Sequence, residues 1–322
     1  LFPYTTLFRS IDVSVTYGES VKTGMFVDPN TDGYLYTLPG IKYFTTNTVD
    51  EDGSWTREYT DLNGRVMMSE TSQGYTYYVY NARGDIKYAI PPILSDYLLS
   101  YYGNESEDIT DDDAMMQKYA YIYRYDRQGH CIYKKLPGCA PIYYVYDRTG
   151  ALILTQDGNQ RQRGEWAYTI PDRFGRPCIS GICRNTVSYT EEPLHSAFVH
   201  AVYDGTTTAT GGYAVYNITL DQQVLYTAAY YDNYGFLGTN LAGAMPSVTV
   251  GTDEEQNAFG LLTGQVAYAT NGETVGTVNV YDRKGQVVRS VRKGLGGRIE
   301  DVSTAYTFTG DVASTSAQAA DL

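Results

Sequence analysis

A short turn motif recurs along this chain and constrains its fold more than any other feature. Each copy has an Asp or Asn, two further residues and a Gly, with apolar runs on both sides. Asp is favoured at the first position of a type I turn, where its side chain caps the turn amides, and Gly accepts the left-handed backbone that follows. Each copy is therefore a predicted β-hairpin. The copies pair Asp61 with Gly64, Asn81 with Gly84, Asp126 with Gly129, Asp147 with Gly150, Asp172 with Gly175, Asp232 with Gly235 and Asp282 with Gly285.

The intervals between the copies indicate a repeat protein. Successive intervals are 20, 45, 21, 25, 60 and 50 residues, and the 60-residue interval contains a degenerate copy, Tyr203-Asp204-Gly205. Periods of about 20 to 50 residues are typical of architectures in which neighbouring repeats stack to share a core. The sequence therefore predicts an all-β chain whose hairpins form a curved, coiling antiparallel sheet. Residues 293–297 are predicted to form another turn.

Four segments resemble the RHS (rearrangement hotspot) or YD-repeat proteins, and within them the large forms found in Bacteroidetes. They are Tyr77–Pro92, Lys134–Asp147, Gln156–Trp166 and Gly260–Gly264. The resemblance covers roughly residues 40 to 310. It implies a long β-strip that winds into a hollow shell around a C-terminal polymorphic toxin. The chain departs from the family in lacking its C-terminal core, with the self-cleavage motif, and a toxin domain.

By this resemblance the chain is a structural, non-catalytic wall segment of such a shell, secreted or at the cell surface. Its partners would be the rest of its own polypeptide, namely the RHS core and the toxin, and the secretion machinery. The alternative is a cell-surface carbohydrate-binding module with exposed Tyr rows that stack on sugar rings. One such row, on one face of a predicted strand, is Tyr121, Tyr123 and Tyr125. Cross-strand packing is the commoner use of such a row.

The motif also predicts how the chain is organised. Residues 1–10 contain no initiator Met and look like the translation of a sequencing adapter. Residues 11–58 are predicted to be an irregular β lead-in and residues 59–310 the repeat array. Residues 311–322 are small and polar, and we expect a frayed or truncated tail.

A helical insertion is predicted within the array at residues 91–120. Pro91 and Pro92 end the preceding strand, and an apolar segment that could form one or two helical turns follows. Thr110 is the expected N-cap of a second helix, since the three Asp after it suit the positive end of the helix dipole. The same acidic run could instead hold a metal or serve catalysis, and capping is the simpler interpretation.

Composition argues against several classes of partner. The chain has 24 basic and 37 acidic residues, for a net charge of −13. Without a basic stripe this balance argues against nucleic acid or an anionic membrane as a partner. No apolar run approaches the roughly 20 residues of a membrane helix, so membrane insertion is not expected. The 34 Tyr, against 9 Phe, and the 32 Gly are typical of strands and turns.

No catalytic, cofactor-binding or metal-binding residue is predicted, and the chain is not expected to be an enzyme. Residues 28–33 open like a calcium loop, but the twelfth position, which requires Glu, is Pro39. The Cys spacings do not match a zinc site, which leaves buried thiols or one disulfide. No nucleophile or metal motif accompanies the His residues. The Cys and His residues are Cys131, Cys139, Cys178, Cys183, His130, His195 and His200.

Overall fold

A computed structural model describes residues 12–19, 25–27, 35–37, 42–102, 113–239 and 244–320. The adapter-like segment 1–10, the calcium-like loop 28–33, Pro39 and Thr110 lie outside the described residues. The chain divides into two compact units, residues 1–142 and 143–322. The prediction of an all-β chain of antiparallel hairpins with a helical insertion is confirmed. Among the described residues, no helix has the length and apolarity needed to cross a membrane.

The first unit contains a run of antiparallel strands that pair in sequence order. Its strands are β1 Asp12–Glu19, β2 Met25–Val27, β3 Leu35–Thr37, β4 Lys42–Val49, β5 Trp55–Thr60, β6 Val66–Thr71, β7 Gly74–Tyr80, β8 Ile86–Ile90, β9 Tyr121–Tyr125 and β10 Cys131–Lys135. From β4 to β10 each strand pairs with the next, β1 pairs with the free side of β4, and β2 pairs with β3. The predicted lead-in therefore ends in a regular hairpin, because the turn at 50–53 joins β4 to β5.

The helical insertion lies between β8 and β9 and packs on the sheet of the first unit. Its first helix, α1, runs from Pro92 to Tyr102 and buries Leu94 and Leu98 completely. The hydroxyl of Ser95 donates to the carbonyl of Tyr75 in β7 at 2.9 Å, which gives this fully buried polar side chain a partner. The insertion is therefore part of the core of this unit.

The second helix of the insertion, α2, begins later than the sequence suggests. It runs from Ala114 to Tyr119, and its N-cap is Asp113, whose carboxylate accepts from the backbone N–H groups of Met115 and Met116 at 2.8 and 3.1 Å. Thr110, the predicted cap, is therefore not the N-cap of this helix. The capping interpretation of the acidic run holds for its last Asp.

The described part of the second unit contains a longer run of antiparallel strands, together with the α-helices α3 and α4. They are β11 Ile142–Tyr146, β12 Leu152–Gln156, α3 Gly158–Arg163, β13 Glu165–Pro171, β14 Pro177–Arg184, β15 His200–Tyr203, β16 Tyr213–Tyr216, β17 Asp221–Tyr231, α4 Thr252–Gln256, β18 Leu262–Tyr268, β19 Thr274–Tyr281, β20 Val287–Lys293, β21 Ile299–Tyr306 and β22 Val312–Ala320. The strands pair in sequence order, except that β14 pairs directly with β17 while β15 and β16 form a separate hairpin.

Two long connections cover one face of this sheet and complete its core. The segment between β14 and β17 buries Val199 and Tyr213, and the segment between β17 and β18 buries Phe236 and Ala258, against the strands. We call these two connections the covering segments. The one between β17 and β18 approaches the backbone of β18 so closely that a Cβ at Gly264 would lie 2.3 Å from the Phe236 ring. Glycine at this position lets the aromatic ring pack directly on the sheet.

The C-terminal segment differs from the prediction of a frayed tail. Residues 312–320 form strand β22, which pairs with β21 from Val312 opposite Tyr306 to Ala320 opposite Ile299. Every residue of β22 is exposed to solvent. Backbone pairing with β21, rather than burial of its own side chains, therefore holds this strand.

Candidate functional site

The Asp side chains cap their turns in the predicted way. Asp126 accepts hydrogen bonds from the backbone N–H groups of Gln128 and His130 at 2.9 and 2.8 Å. Gly129 closes the turn onto the carbonyl of Asp126 at 3.2 Å with a φ of 95°. The same pair of side-chain bonds is present at five other predicted copies, Asp61, Asn81, Asp147, Asp172 and Asp282.

Two predicted copies form different structures. At Asp232 the backbone itself is left-handed, with a φ of 73°, and its N–H donates to the carbonyl of Leu261 at 3.1 Å. Gly235 begins a short 3₁₀ helix instead of closing a hairpin, because the chain inserts the covering segment here. The degenerate copy at Asp204 also lacks the repeat geometry, and its carboxylate accepts from the N–H groups of Thr206 and Thr207.

Four further turns have the same backbone hydrogen bonds as the repeat turns. The predicted turn within residues 293–297 is confirmed, since Gly297 N–H donates to the carbonyl of Gly294 at 3.2 Å. The other three are at 50–53, 269–272 and 307–310. The last two begin with Ala269 and Thr307, so the backbone turn forms without an Asp at its first position.

The Tyr that precedes a turn, or in the case of Tyr231 the long connection after β17, donates a hydrogen bond to the preceding hairpin. In the first unit the hydroxyl of Tyr80 donates to the carbonyl of Val66 at 2.7 Å, and that of Tyr125 to Ile86 at 2.9 Å. In the second unit the acceptors lie at the same place, where the preceding hairpin enters its second strand. These bonds run from Tyr231 to Pro177, from Tyr281 to Leu262 and from Tyr306 to Val287, at 2.6 to 3.1 Å. We call these five hydrogen bonds the Tyr ties. The sequence analysis assigned no role to the five hydroxyls.

Within each unit these turns share one edge of the sheet. Connections in an antiparallel run alternate between the two edges, so the turns after β5, β7 and β9 lie together. In the second unit the same holds for the connections after β11, β13, β17, β19 and β21. We call this side of each unit its turn edge.

Basic side chains link neighbouring turns along the turn edge. In the first unit the guanidinium of Arg83 donates to the carbonyls of Asp126 and Arg127, in the next turn, at 2.8 and 2.9 Å. In the second unit Lys284 donates to the carbonyl of Phe308, again in the next turn, at 2.7 Å. Side chains at the tip of one turn therefore satisfy backbone acceptors of the next.

The most strongly charged link joins Arg176 to two carboxylates. Its guanidinium lies 2.6 Å from Asp172 Oδ2 in its own turn and donates to both oxygens of Asp232 at 2.9 and 2.6 Å. The hydrogen bond from Arg176 holds the pKa of the Asp232 carboxyl below its usual value, although burial acts in the opposite direction. The guanidinium also lies 4.4 Å from the ring centroid of Tyr231 and 5.2 Å from that of Phe174.

Two depressions flank the turn that carries Arg173 and Phe174. The smaller, of about 180 Å³, is lined by aromatic side chains including Tyr203 and Tyr231 and by Asp232. The larger, of about 420 Å³, lies between this turn and the turn at 147–150. Both arise where the repeat pattern is interrupted by the covering segments, which sequence periodicity alone does not locate.

The three histidines lie in different places. His130 Nδ1 contacts Asp126 Oδ2 at 2.8 Å, within its own turn. His195 is exposed and its Nδ1 donates to the carbonyl of Glu192 at 2.7 Å. His200 is buried in the β15–β16 hairpin, where its ring stacks between those of Phe198 and Tyr216 at 4.7 and 5.0 Å.

The four cysteines are free thiols, and the buried-thiol alternative holds for two of them. Cys178 and Cys183 are buried, and burial raises the pKa of each thiol to about 11. Cys131 is half-buried and Cys139 is exposed. Among the described residues no group of three or more His, Cys, Asp or Glu side chains is arranged to hold a metal ion.

The Tyr row predicted on β9 is only partly available at the surface. Tyr121 is 37% exposed, while Tyr123 and Tyr125 are half-buried. Burial raises the pKa of Tyr125 to about 12, and its hydroxyl is already bonded to Ile86. The row therefore contributes at least one inter-hairpin tie.

Comparisons with known proteins find likeness at the level of structure only. No protein-family model matches the chain, and no curated protein matches it. Among solved structures 42 chains match. One is a crystal structure of TcdB2-TccC3-TEV, with a TM-score of 0.41 and 10% sequence identity over 94% of this chain. The match spans 14% of the length of that chain.

Proposed function

We propose that this chain is a non-catalytic wall segment of an RHS or YD-repeat shell that encloses a C-terminal toxin and helps to deliver it to competing cells. The observation that carries the proposal is the set of Tyr ties along the turn edge. Each tie joins one hairpin to the preceding one, so the sheet is continuous in the direction in which a wall must extend.

The choice of Tyr over Phe supports this assignment. Tyr281 is buried and the other four Tyr of the Tyr ties are half-buried, and the hydroxyl of each has a backbone carbonyl of the preceding hairpin as its partner. Burial raises the pKa values of Tyr231 and Tyr281, so both side chains donate in their neutral form near neutral pH. The same bond geometry recurs in both units, and no ligand or substrate is needed to account for it.

The alternative role, carbohydrate binding through exposed Tyr rows, has less support. The hydroxyl of Tyr125 is committed to Ile86, and Tyr123 is half-buried. We propose instead that the partners are the remainder of the same polypeptide, with its core and toxin, and a secretion machinery. Under this proposal the protein is secreted or displayed at the cell surface.

The test begins with the coding sequence downstream of Leu322, where we expect an RHS core and a variable C-terminal domain. The full polypeptide is then exposed to protease, with the C-terminal domain followed by antibody or mass spectrometry. We expect the C-terminal domain to be protected in the wild type and cut faster when Tyr281 and Tyr306 are both replaced by Phe.

A matched control is Tyr226→Phe, since Tyr226 is 39% exposed and its hydroxyl has no hydrogen-bond partner among the described residues. This variant should protect the C-terminal domain as the wild type does. If the C-terminal domain were cut equally fast when free and when linked to the array, enclosure would be contradicted. A parent polypeptide with no domain beyond the array would contradict it as well.

A further inference from the structure

We propose that the larger depression on the second unit binds a small ligand that has a flat apolar body and a carboxylate. It lies between the turns at 147–150 and 172–175, and Phe198 lines it from the segment between β14 and β17. Its volume of about 420 Å³ falls within the roughly 300–1,000 Å³ of small-molecule sites. This inference does not depend on the wall role, because it concerns one pocket and not the continuity of the sheet.

The wall of the depression that carries Phe198 is fixed by the Asp147 turn. Asp147 is 2% exposed, and its Oδ2 accepts from Val199 N–H at 3.1 Å. The N–H of Arg148 donates to the carbonyl of Ala197 at 3.0 Å. These two bonds hold the backbone on both sides of Phe198, so the depression does not need to form around its ligand.

The apolar surface of the depression comes from two Phe rings and two small residues. Phe174 stands at the tip of its turn and is 79% exposed, so its ring is available to a ligand. Phe198, Pro171 and Ala151 complete the apolar lining. A flat ligand would pack one of its faces against the exposed Phe174 ring and the other against the concave apolar surface below it. Aromatic rings prefer such stacked or offset arrangements.

Arg173 is the cation that lines the depression. Asp172 also lines it, with its carboxylate paired to Arg176, and Arg148 lies outside the lining, against Phe198. Arg148 and Arg173 each follow the capping Asp of their turn, and Arg148 lies 5.7 Å from the Phe198 ring centroid. Neither of these two guanidinium groups has a carboxylate within ion-pair distance among the described residues. Arg283, at the same turn position elsewhere, contacts Asp253 at 3.4 Å. In a chain with a net charge of −13, two such cations on adjacent turns favour an anion.

A carboxylate is the anion that best fits this pair of arginines. The planar guanidinium donates two parallel N–H groups to a carboxylate and also stacks on aromatic rings. The ligand would place its carboxylate against Arg173 or Arg148 and its apolar body between Phe174 and Phe198.

The test uses naphthoate as the probe and naphthalenemethanol as its uncharged counterpart, titrated by calorimetry or by NMR shifts of the whole chain. We expect saturable naphthoate binding, weakened about tenfold for the alcohol because a charge-assisted hydrogen bond is lost. The double variant Arg148→Gln/Arg173→Gln should remove this preference for the acid. Phe174→Ala should weaken both probes about tenfold.

Matched controls are Arg283→Gln and Phe308→Ala, which alter the same residue types at turn tips away from the depression. Phe308 is 93% exposed, so its truncation should leave both folding and binding unchanged. Absence of saturable binding, equal affinity for the two probes, or equal weakening by the control variants would each overturn the proposal. Unchanged melting temperatures of all variants separate loss of binding from loss of folding.

Discussion

Both oxygens of the Asp232 carboxylate accept hydrogen bonds from the guanidinium of Arg176, a residue 56 positions earlier, at 2.9 and 2.6 Å. Asp232 also accepts from the N–H of Gly260 at 2.7 Å. These three bonds hold a non-glycine residue in left-handed backbone, at a φ of 73°, a conformation that costs about 1–2 kcal/mol. Arg176 thereby fixes the point where the covering segment leaves the sheet.

Replacing Asp232 by Asn should destabilise the protein at neutral pH by about 2 kcal/mol, the scale of a hydrogen bond to a charged group. The pKa of Asp232 is lowered in the folded state, so its contribution is fully present above its unfolded pKa of about 3.9. That contribution is lost as pH falls through the folded pKa. The difference between wild type and variant, measured by denaturant unfolding over a pH series, should therefore shrink below about pH 4.

The control for this series is Asp253→Asn, because the Asp253–Arg283 pair is exposed on both sides and should contribute little. If the difference in free energy of unfolding between wild type and Asp232→Asn stayed constant from neutral pH to strong acid, the stabilisation would not come from the charge of the Asp232 carboxylate.

Replacing Tyr281 by Phe should lower the free energy of unfolding by about 1 kcal/mol, since the variant leaves the Leu262 carbonyl with only the long contact from the Asn279 amide at 3.5 Å among side-chain donors. Tyr281 is 7% exposed, so water does not readily replace the hydroxyl. The measurement is chemical denaturation beside Tyr226→Phe, which changes the same atom at an exposed site. Equal stability of the two variants would show that the tie contributes nothing.

Replacing Gly175 by Ala should destabilise the protein by about 1–2 kcal/mol through backbone strain alone. Its φ is 83°, and no atom lies within 4 Å of the position that the new methyl would occupy. Gly238 also has open space but no left-handed backbone, so Gly238→Ala serves as the control. Thermal melting should separate the two variants, and a neutral Gly175→Ala would remove the strain argument.

Replacing Asp113 by Ala should cost about 1 kcal/mol, the usual contribution of an N-cap side chain. The carboxylate caps α2 through Met115 and Met116, and Met116 is almost fully buried. Hydrogen exchange should show faster exchange at these two amides. Asp113→Ser, which keeps a capping oxygen, should restore most of the protection, and failure of the Ser variant to do so would point to charge instead of capping.

The sequence predicted the turns because their cause is local. An Asp, two residues and a Gly determine the structure at Asp126 without help from the rest of the chain. The same spacing failed at Asp232, because the partner strand lies beyond a long covering segment and Arg176 determines the backbone there. Strand β22 was missed because its small polar residues have no alternation, and its pairing depends on β21.

The Tyr ties could have been predicted from the sequence, although they were not. The signal was a Tyr directly before the turn motif at Tyr80, Tyr125, Tyr231 and Tyr281, together with the excess of 34 Tyr over 9 Phe. A row of identical residues at one turn position indicates a shared polar partner. The depression at Phe174 and Phe198 carries no such signal, because the covering segment between β14 and β17 brings its two sides together only in the folded chain.

The direction of the Tyr ties has a consequence for how such a chain is made. In all five ties the hydroxyl belongs to the later hairpin and the carbonyl to the earlier one. When a hairpin leaves the ribosome, the acceptor that its Tyr needs has therefore already been synthesised. Domains and repeats that emerge first can fold first. The array can thus add hairpins in the order of translation, each one completing a bond to structure that is already in place.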